Sequence, residues 1–179
     1  MNEIVNKVSA SGLIEINLED FYDQSERIYI DFKDFLNTVP LGNDLAYMLK
    51  EKDFREKLNG IDTSQFYEKM VAVNCSVDAI IPTWAYMLLS LTISPHAKKL
   101  VFGDSIFLEN LLFKEALDKI NYLDYTDKKV IIKGCSKVNV PVNAYTTLAS
   151  NLKPYVKSIM FGEPCSTVPL FKRPKSIDL

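Results

Sequence analysis

The chain has 179 residues, 47% of them hydrophobic, with a net charge of −2 and a pI near 5.5. That is enough apolar material to bury a substantial core, and it argues against a disordered chain. Acidic and basic residues are interspersed, so the basic footprint of a phosphate-backbone binder is missing and nucleic acid is not an expected partner.

The amino-terminal stretch "MNEIVNKVSASGLIEINLEDF" lacks the basic start and apolar block of a signal peptide. The longest apolar run, "AIIPTWAYMLLSL", is too short to span a bilayer and carries an early proline. A cytoplasmic protein without membrane contact is expected. Along the chain, "LIEINLEDFY" and "RIYIDFKDFL" alternate apolar residues and predict two short antiparallel or edge strands. Residues 44–58, "DLAYMLKEKDFREKL", place apolar residues at helical spacing and predict a helix. No glycine-, serine- or proline-rich linker follows, so residues 1–67 are expected to extend one domain covering 1–179.

From residue 70 short apolar runs alternate with amphipathic stretches, the pattern of an α/β fold with a mainly parallel sheet. Strands are predicted at 70–75, 98–102, 129–134 and 156–161, and helices at about 82–93, 105–120 and 141–153. Pro82 and Pro141 open the first and third helices, where a missing N–H costs nothing. From Pro164 onward, "PCSTVPLFKRPKSIDL" holds three prolines and the basic residues Lys172, Arg173 and Lys175, and predicts an extended arm over 164–179. Its 164–175 portion is a candidate contact for a protein partner.

An internal repeat organises the region 68–163. Shifted by 59, "PTWAYMLLSLTISPHAKKLVFGD" (82–104) lies on "PVNAYTTLASNLKPYVKSIMFGE" (141–163) with 8 identities in 23 positions. With one inserted residue, Cys75–Ser76 falls on Cys135–Ser136. Two duplicated βαβ units docked as in doubly wound folds predict strand order 2-1-3-4, with ligands bound outside the carboxyl ends at the switch point. Adjacent strands are about 4.8 Å apart, so Cys75 and Cys135 would face each other there.

The three cysteines carry the chemical argument. Each alone reads as a small buried residue. Cys165 has no counterpart in the first unit, where Ile106 stands, yet it follows Gly162 closely enough to return to the same edge. Thiolates are both nucleophiles and soft-metal ligands. A zinc ion or an iron–sulfur cluster takes four protein ligands, or three with one position open. Cys75, Cys135 and Cys165 are therefore the expected metal ligands, with Glu163, Asp104 or Asp78 as a fourth. Asp104 also reads as the N-cap of the helix that follows it.

His96, the single histidine, aligns with Tyr155 before a strand and belongs at the amino end of the sheet, away from the thiols. Tyr86 and Tyr145 match one turn into their helices and read first as packing. Walker A, G-x-G-x-x-G and G-x-S-x-G patterns are all missing, which leaves nucleotide-dependent and α/β-hydrolase readings without support.

The motifs "CSVDAIIPTWAYMLL", "KKLVFGD", "IKGCSK" with "VPVNAY", and "MFGEPCSTVPLFKRPK" resemble the bacterial family known as domain of unknown function 2480. The resemblance brings no activity with it; its association with iron–sulfur assembly points the same way as the thiols. The expected function is a three-cysteine metal or iron–sulfur site, accessory to cluster assembly or thiol redox. The alternatives are a cysteine-dependent enzyme acting on a small molecule and a partner-binding module without chemistry. The sequence is compatible with both a pseudo-symmetric monomer and a homodimer.

Overall fold

The computed structural model describes residues 13–42, 44–134, 137–163 and 166–174. In chain order its elements are β1 (Leu13–Asn17), β2 (Arg27–Asp31), β3 (Asn37–Leu41), β4 (Asp44–Met48), α1 (Glu51–Asn59), β5 (Met70–Asn74), α2 (Thr83–Ile93), β6 (Lys99–Phe102), α3 (Ser105–Leu117), β7 (Lys129–Lys133), α4 (Val142–Leu152), β8 (Ser158–Glu163) and β9 (Ser166–Lys172). They fall into two compact units. Residues Gln24–Leu108 make a continuous unit, and the residues up to Asp23 with those from Glu109 onward make a discontinuous one.

The continuous unit holds a parallel sheet of order β2-β5-β6 and the antiparallel hairpin β3-β4. Its core gathers Phe32, Phe35 and Leu36 after β2, Phe54 and Leu58 of α1, Val71 and Val73 of β5, and Ala85, Leu89 and Ile93 of α2. The last three recur every four residues, so α2 turns one stripe onto the sheet. Each fully buried side chain of this size contributes roughly 1.5–3 kcal/mol relative to exposure.

The discontinuous unit holds the order β1-β7-β8-β9, parallel except for β9 against β8. Ile14 and Ile16, Val130 and Ile132, and Ile159 fill its core from the sheet. Ala144, Leu148 and Leu152 of α4 and Phe113 and Leu117 of α3 close over them.

The fold is thus mixed α/β with parallel sheets and four helices, but the expected single sheet of order 2-1-3-4 does not form among the described residues. The reason lies in residues 13–31. β5 and β7 each have a second edge to fill, and each fills it with its own amino-terminal strand. Arg27–Asp31 pair with Met70–Asn74, and Leu13–Asn17 pair with Lys129–Lys133. The two predicted strands are therefore edge strands, as one of the two alternatives had it, and are parallel to their neighbours. With those edges taken, β5 and β7 are not neighbours, and the spacing argument that set Cys75 opposite Cys135 loses its basis.

Two shorter expectations also change. Residues 44–48 are a strand, because Gly42, at φ 63°, turns the chain so that Asp44–Met48 pair back onto Asn37–Leu41. The helix starts only at Glu51, with Glu51 and Asp53 in its first turn and Lys57 in its last, as the helix dipole favours. The carboxyl-terminal arm, in turn, is ordered over Ser166–Lys172 as β9. Gly162, at φ 114° and opposite Thr167 in the β8–β9 ladder, must be glycine for close approach: a Cβ there would lie 2.6 Å from the Ser166 carbonyl oxygen. Pro82 and Pro141 stand at the N-caps of α2 and α4, one residue ahead of each helix. No helix among the described residues is long and apolar enough to cross a membrane.

Candidate functional site

In the continuous unit, β5 ends at Asn74, and Cys75 is the first residue beyond the strand. Its thiol is half-buried, packs against the unit's core, and donates to the Val77 carbonyl at 3.3 Å. Ser76 is held from below: its N–H donates to Asp31 Oδ1 at 3.1 Å and its hydroxyl donates to Asp31 Oδ2. Asp31 is the last residue of β2 and the register partner of Asn74, so the pairing of the two strands delivers the carboxylate to the loop. The same carboxylate caps the 3-10 turn Phe32–Phe35 through Lys33 N–H at 3.0 Å. Burial alone would raise the Asp31 pKa. The hydrogen bonds from the Ser76 hydroxyl and from the Lys33 and Ser76 N–H groups, with the Lys33 charge, outweigh it and hold the carboxyl below its ordinary value.

Tyr86 completes this edge. Its ring lies 4.9 Å from that of Phe32 and meets Phe102, at the end of β6, edge-on at 5.3 Å. Burial, and then the negative charge of a Cys75 thiolate, push the Tyr86 hydroxyl pKa up. The carboxyl edge therefore carries a thiol on a loop clamped by one carboxylate, and a phenol that keeps its proton packed on the same core.

The discontinuous unit presents a different edge. Asn17 stands where Asp31 does, accepting from Glu19 N–H at 3.2 Å to cap the turn Leu18–Phe21. Glu19 Oε1 accepts from Lys137 N–H at 2.9 Å. Lys133, last in β7, lies 2.9 Å from Glu15 and 3.7 Å from Glu163. Tyr145 meets Phe161 edge-on at 5.8 Å, and a Cβ on Gly134 would lie 2.1 Å from its hydroxyl oxygen.

Strand register fixes which positions of the two edges correspond. Asn74 pairs with Asp31 as Lys133 pairs with Asn17, and Val73 pairs with Phe102 as Ile132 pairs with Phe161. The residue after Asn74 is Cys75; the residue after Lys133 is Gly134. The inserted residue that aligned Cys75 with Cys135 has no place in this register. Where the continuous unit carries a thiol near a tyrosine, the other has a glycine under the tyrosine itself.

Of the predicted ligands, Cys135 and Cys165 lie outside the described residues. Asp104 caps α3, its Oδ1 accepting from Phe107 N–H at 2.8 Å as its N-cap reading required. Glu163 belongs to the Lys133 ion-pair group, and Asp78 is exposed. His96 is exposed before β6, its carbonyl accepting from Glu68 N–H at the amino end of the sheet, where it was expected. Among the described residues no three histidine, cysteine, aspartate or glutamate side chains group as a metal site. Asp31 was missed by sequence reasoning. Its signal was available: "IEINLEDF" and "IYIDFKDF" share Ile-x-Ile, an Asn or Asp, an apolar residue, and Asp-Phe at an offset of 14.

A family described as "Protein of unknown function (DUF2480)" matches residues 2–173. The chain belongs to this family. No curated protein and no solved structure compared with the chain matches it. Membership accounts for the motifs from "CSVDAIIPTWAYMLL" to "VPLFKR" as features of one family and leaves the function to be argued from the edges just described.

Proposed function

We propose that this protein works through its thiols, with Cys75, Cys135 and Cys165 as ligands of a soft metal ion or an iron–sulfur cluster, in a role accessory to cluster assembly or thiol redox chemistry. The observation that carries the reading is the way Cys75 is presented. A buried structural cysteine needs no device to hold the next residue, yet here β2 contributes a carboxylate whose hydrogen bonds fix Ser76 and so fix the thiol at the strand end. The S–H donates only to a backbone carbonyl at 3.3 Å, a weak bond that metal ligation replaces on release of the proton. Purification without oxygen, followed by metal analysis and an absorption spectrum, tests it. Bound zinc or a cluster chromophore that is lost in the Cys75→Ser, Cys135→Ser and Cys165→Ser variants supports the reading. Protein that stays colourless and metal-free after reconstitution sinks it.

A second reading, a cysteine-dependent enzyme acting on a small molecule, is favoured by Tyr86. A phenol held protonated beside a thiol can donate a proton to a group the thiol attacks. Here one cysteine alkylates faster than the other two, and Tyr86→Phe lowers turnover without changing metal content.

We also propose that β5–α2–β6 and β7–α4–β8 descend from one ancestral unit. The offset of 59 supports this beyond the sequence. Glu68 and Asp127 both have positive φ, at 56° and 58°. Glu68 N–H bonds His96 O as Asp127 N–H bonds Tyr155 O, and Lys98 N–H bonds Lys69 O as Lys157 N–H bonds Lys128 O. The 3-10 turns Thr63–Phe66 and Tyr122–Tyr125 hold the same relation.

A further inference from the structure

Among the described residues β6 is an edge strand of its sheet, while β8, at the corresponding place in the other unit, is covered by β9. Ile159 and Phe161 of β8 pair with Phe171 and Val168 of β9. The matching residues of β6 are Leu100 and Phe102. Gly103 N–H bonds Val73 O and so points to β5; backbone groups alternate along a strand, and those of Leu100 and Phe102 point to the outer edge.

The helix beside this edge is unusual on the same side. Met87 and Leu91, one turn apart on α2, are 62% and 72% exposed, while Trp84 turns toward α1, its ring 5.8 Å from that of Phe54. At the positions matching Met87 and Leu91, α4 carries Thr146 and Ser150. Thr83 against Val142 runs the other way. Between α2 and the edge lies a groove of about 420 Å³ lined by Thr83, Tyr86, Met87, Ser90, Leu91 and Phe102. An open strand edge beside an apolar helix stripe marks an interaction surface.

We propose that a second copy of this chain occupies this surface, its β6 pairing antiparallel with β6 about a twofold axis to make one continuous six-stranded sheet. Three observations favour a copy over an added peptide strand. A strand would cover the edge but leave Met87 and Leu91 in water, whereas a copy brings its own α2. The spacing fits: crossover helices seated over their own strand pairs lie two strand spacings apart across such a joint, about 10 Å, the distance at which helices pack. The charges fit as well. With Val101 opposite the copy's Val101, Leu100 faces Phe102, and Lys98 and Lys99 at one end of the strand fall opposite Asp104 and Gly103 at the other. Antiparallel pairing thereby sets basic against acidic at both ends of the joint.

Sedimentation of the full chain under reductant, across a concentration series, tests this. The expected species has twice the 20.4 kDa chain mass. Met87→Lys and Leu91→Lys sit at exposed positions, so the fold survives them, and each weakens association by roughly tenfold or more by burying a charge in an apolar contact. Val142→Lys, in the other unit, leaves it unchanged. Hydrogen exchange locates the joint: amides of Leu100 and Phe102 are protected in the dimer and exchange faster in Leu91→Lys. A monomer at every concentration overturns the proposal. So does a dimer that survives both lysine variants, or one in which Leu100 and Phe102 exchange no more slowly than in the monomer.

Discussion

The two carboxyl edges start from the same parallel strands and the same Pro-x-x-Ala-Tyr helix, and they end with different chemistry. In the continuous unit the position beyond the central strand is Cys75, followed by a serine held on Asp31, and its tyrosine packs on the same core as the thiol. In the discontinuous unit that position is Gly134, Asn17 replaces the carboxylate, and Tyr145 lies over the backbone. The comparison teaches that the scaffold sets where a group stands, while one residue decides whether that group is a thiol or merely room for a neighbour. It also matches Cys75 to Gly134 by position in the two sheets.

The largest expected effect breaks the apparent equivalence of the two Phe-Gly-acid sequences. Gly162→Ala should cost about 3 kcal/mol or more, since it combines a left-handed φ with a Cβ driven against the backbone of Ser166. Gly103→Ala should cost less, because its φ is not left-handed and its Cβ meets no backbone atom, although the Phe107 ring and Cβ, 2.6–2.9 Å away, must shift. Urea unfolding of the pair measures the difference, and equal losses would mean that the contact with Ser166 across the β8–β9 ladder is not what demands glycine at 162.

Next, Gly134→Ala should lose about 1–3 kcal/mol through collision with Tyr145, and adding Tyr145→Phe should return part of that loss. Without such a recovery the tyrosine is not what keeps this position a glycine. The same substitution pattern at the other edge, Tyr86→Phe, relieves no clash.

Asp31→Asn should cost about 1 kcal/mol and raise the alkylation rate of Cys75 by freeing its loop. The pH dependence follows from the lowered Asp31 pKa. Its contribution is present above the ordinary carboxyl value of 3.8 and is lost as pH falls through the lower folded value. The stability gap between wild type and Asp31→Asn should therefore close on acidification below about pH 4. Asn17→Ala, at the other edge, should show no such titration.

The smallest effect concerns β9. Arg173 binds the Asp127 carboxylate and the Pro154 and Tyr155 carbonyls, fastening the strand's end to the turns before β7 and β8. Arg173→Ala should cost about 0.5–1 kcal/mol, partly screened at this exposed pair, and should speed exchange of β9 amides without touching the β6 edge.

The sequence by itself determined the local elements of residues 70–163 and the N-cap role of Asp104. Periodicity and capping act over a few residues, and they do not depend on what packs outside. It also determined family membership, through motifs spread along nearly the whole chain. Which strands are neighbours was a tertiary decision. Ile14 and Ile16 could complete a sheet edge anywhere, and only the register of β1 on β7 and β2 on β5 says that each central strand took its own amino-terminal partner. Residues 44–48 became a strand because a reversal at Gly42 offered them Asn37–Leu41 as a mate, which overrides helical spacing in so short a run. The site followed the same rule. Cys75 was legible as a strand-end thiol, but Asp31 lies 45 positions away, and no local pattern can say that its carboxylate reaches the serine beside that thiol.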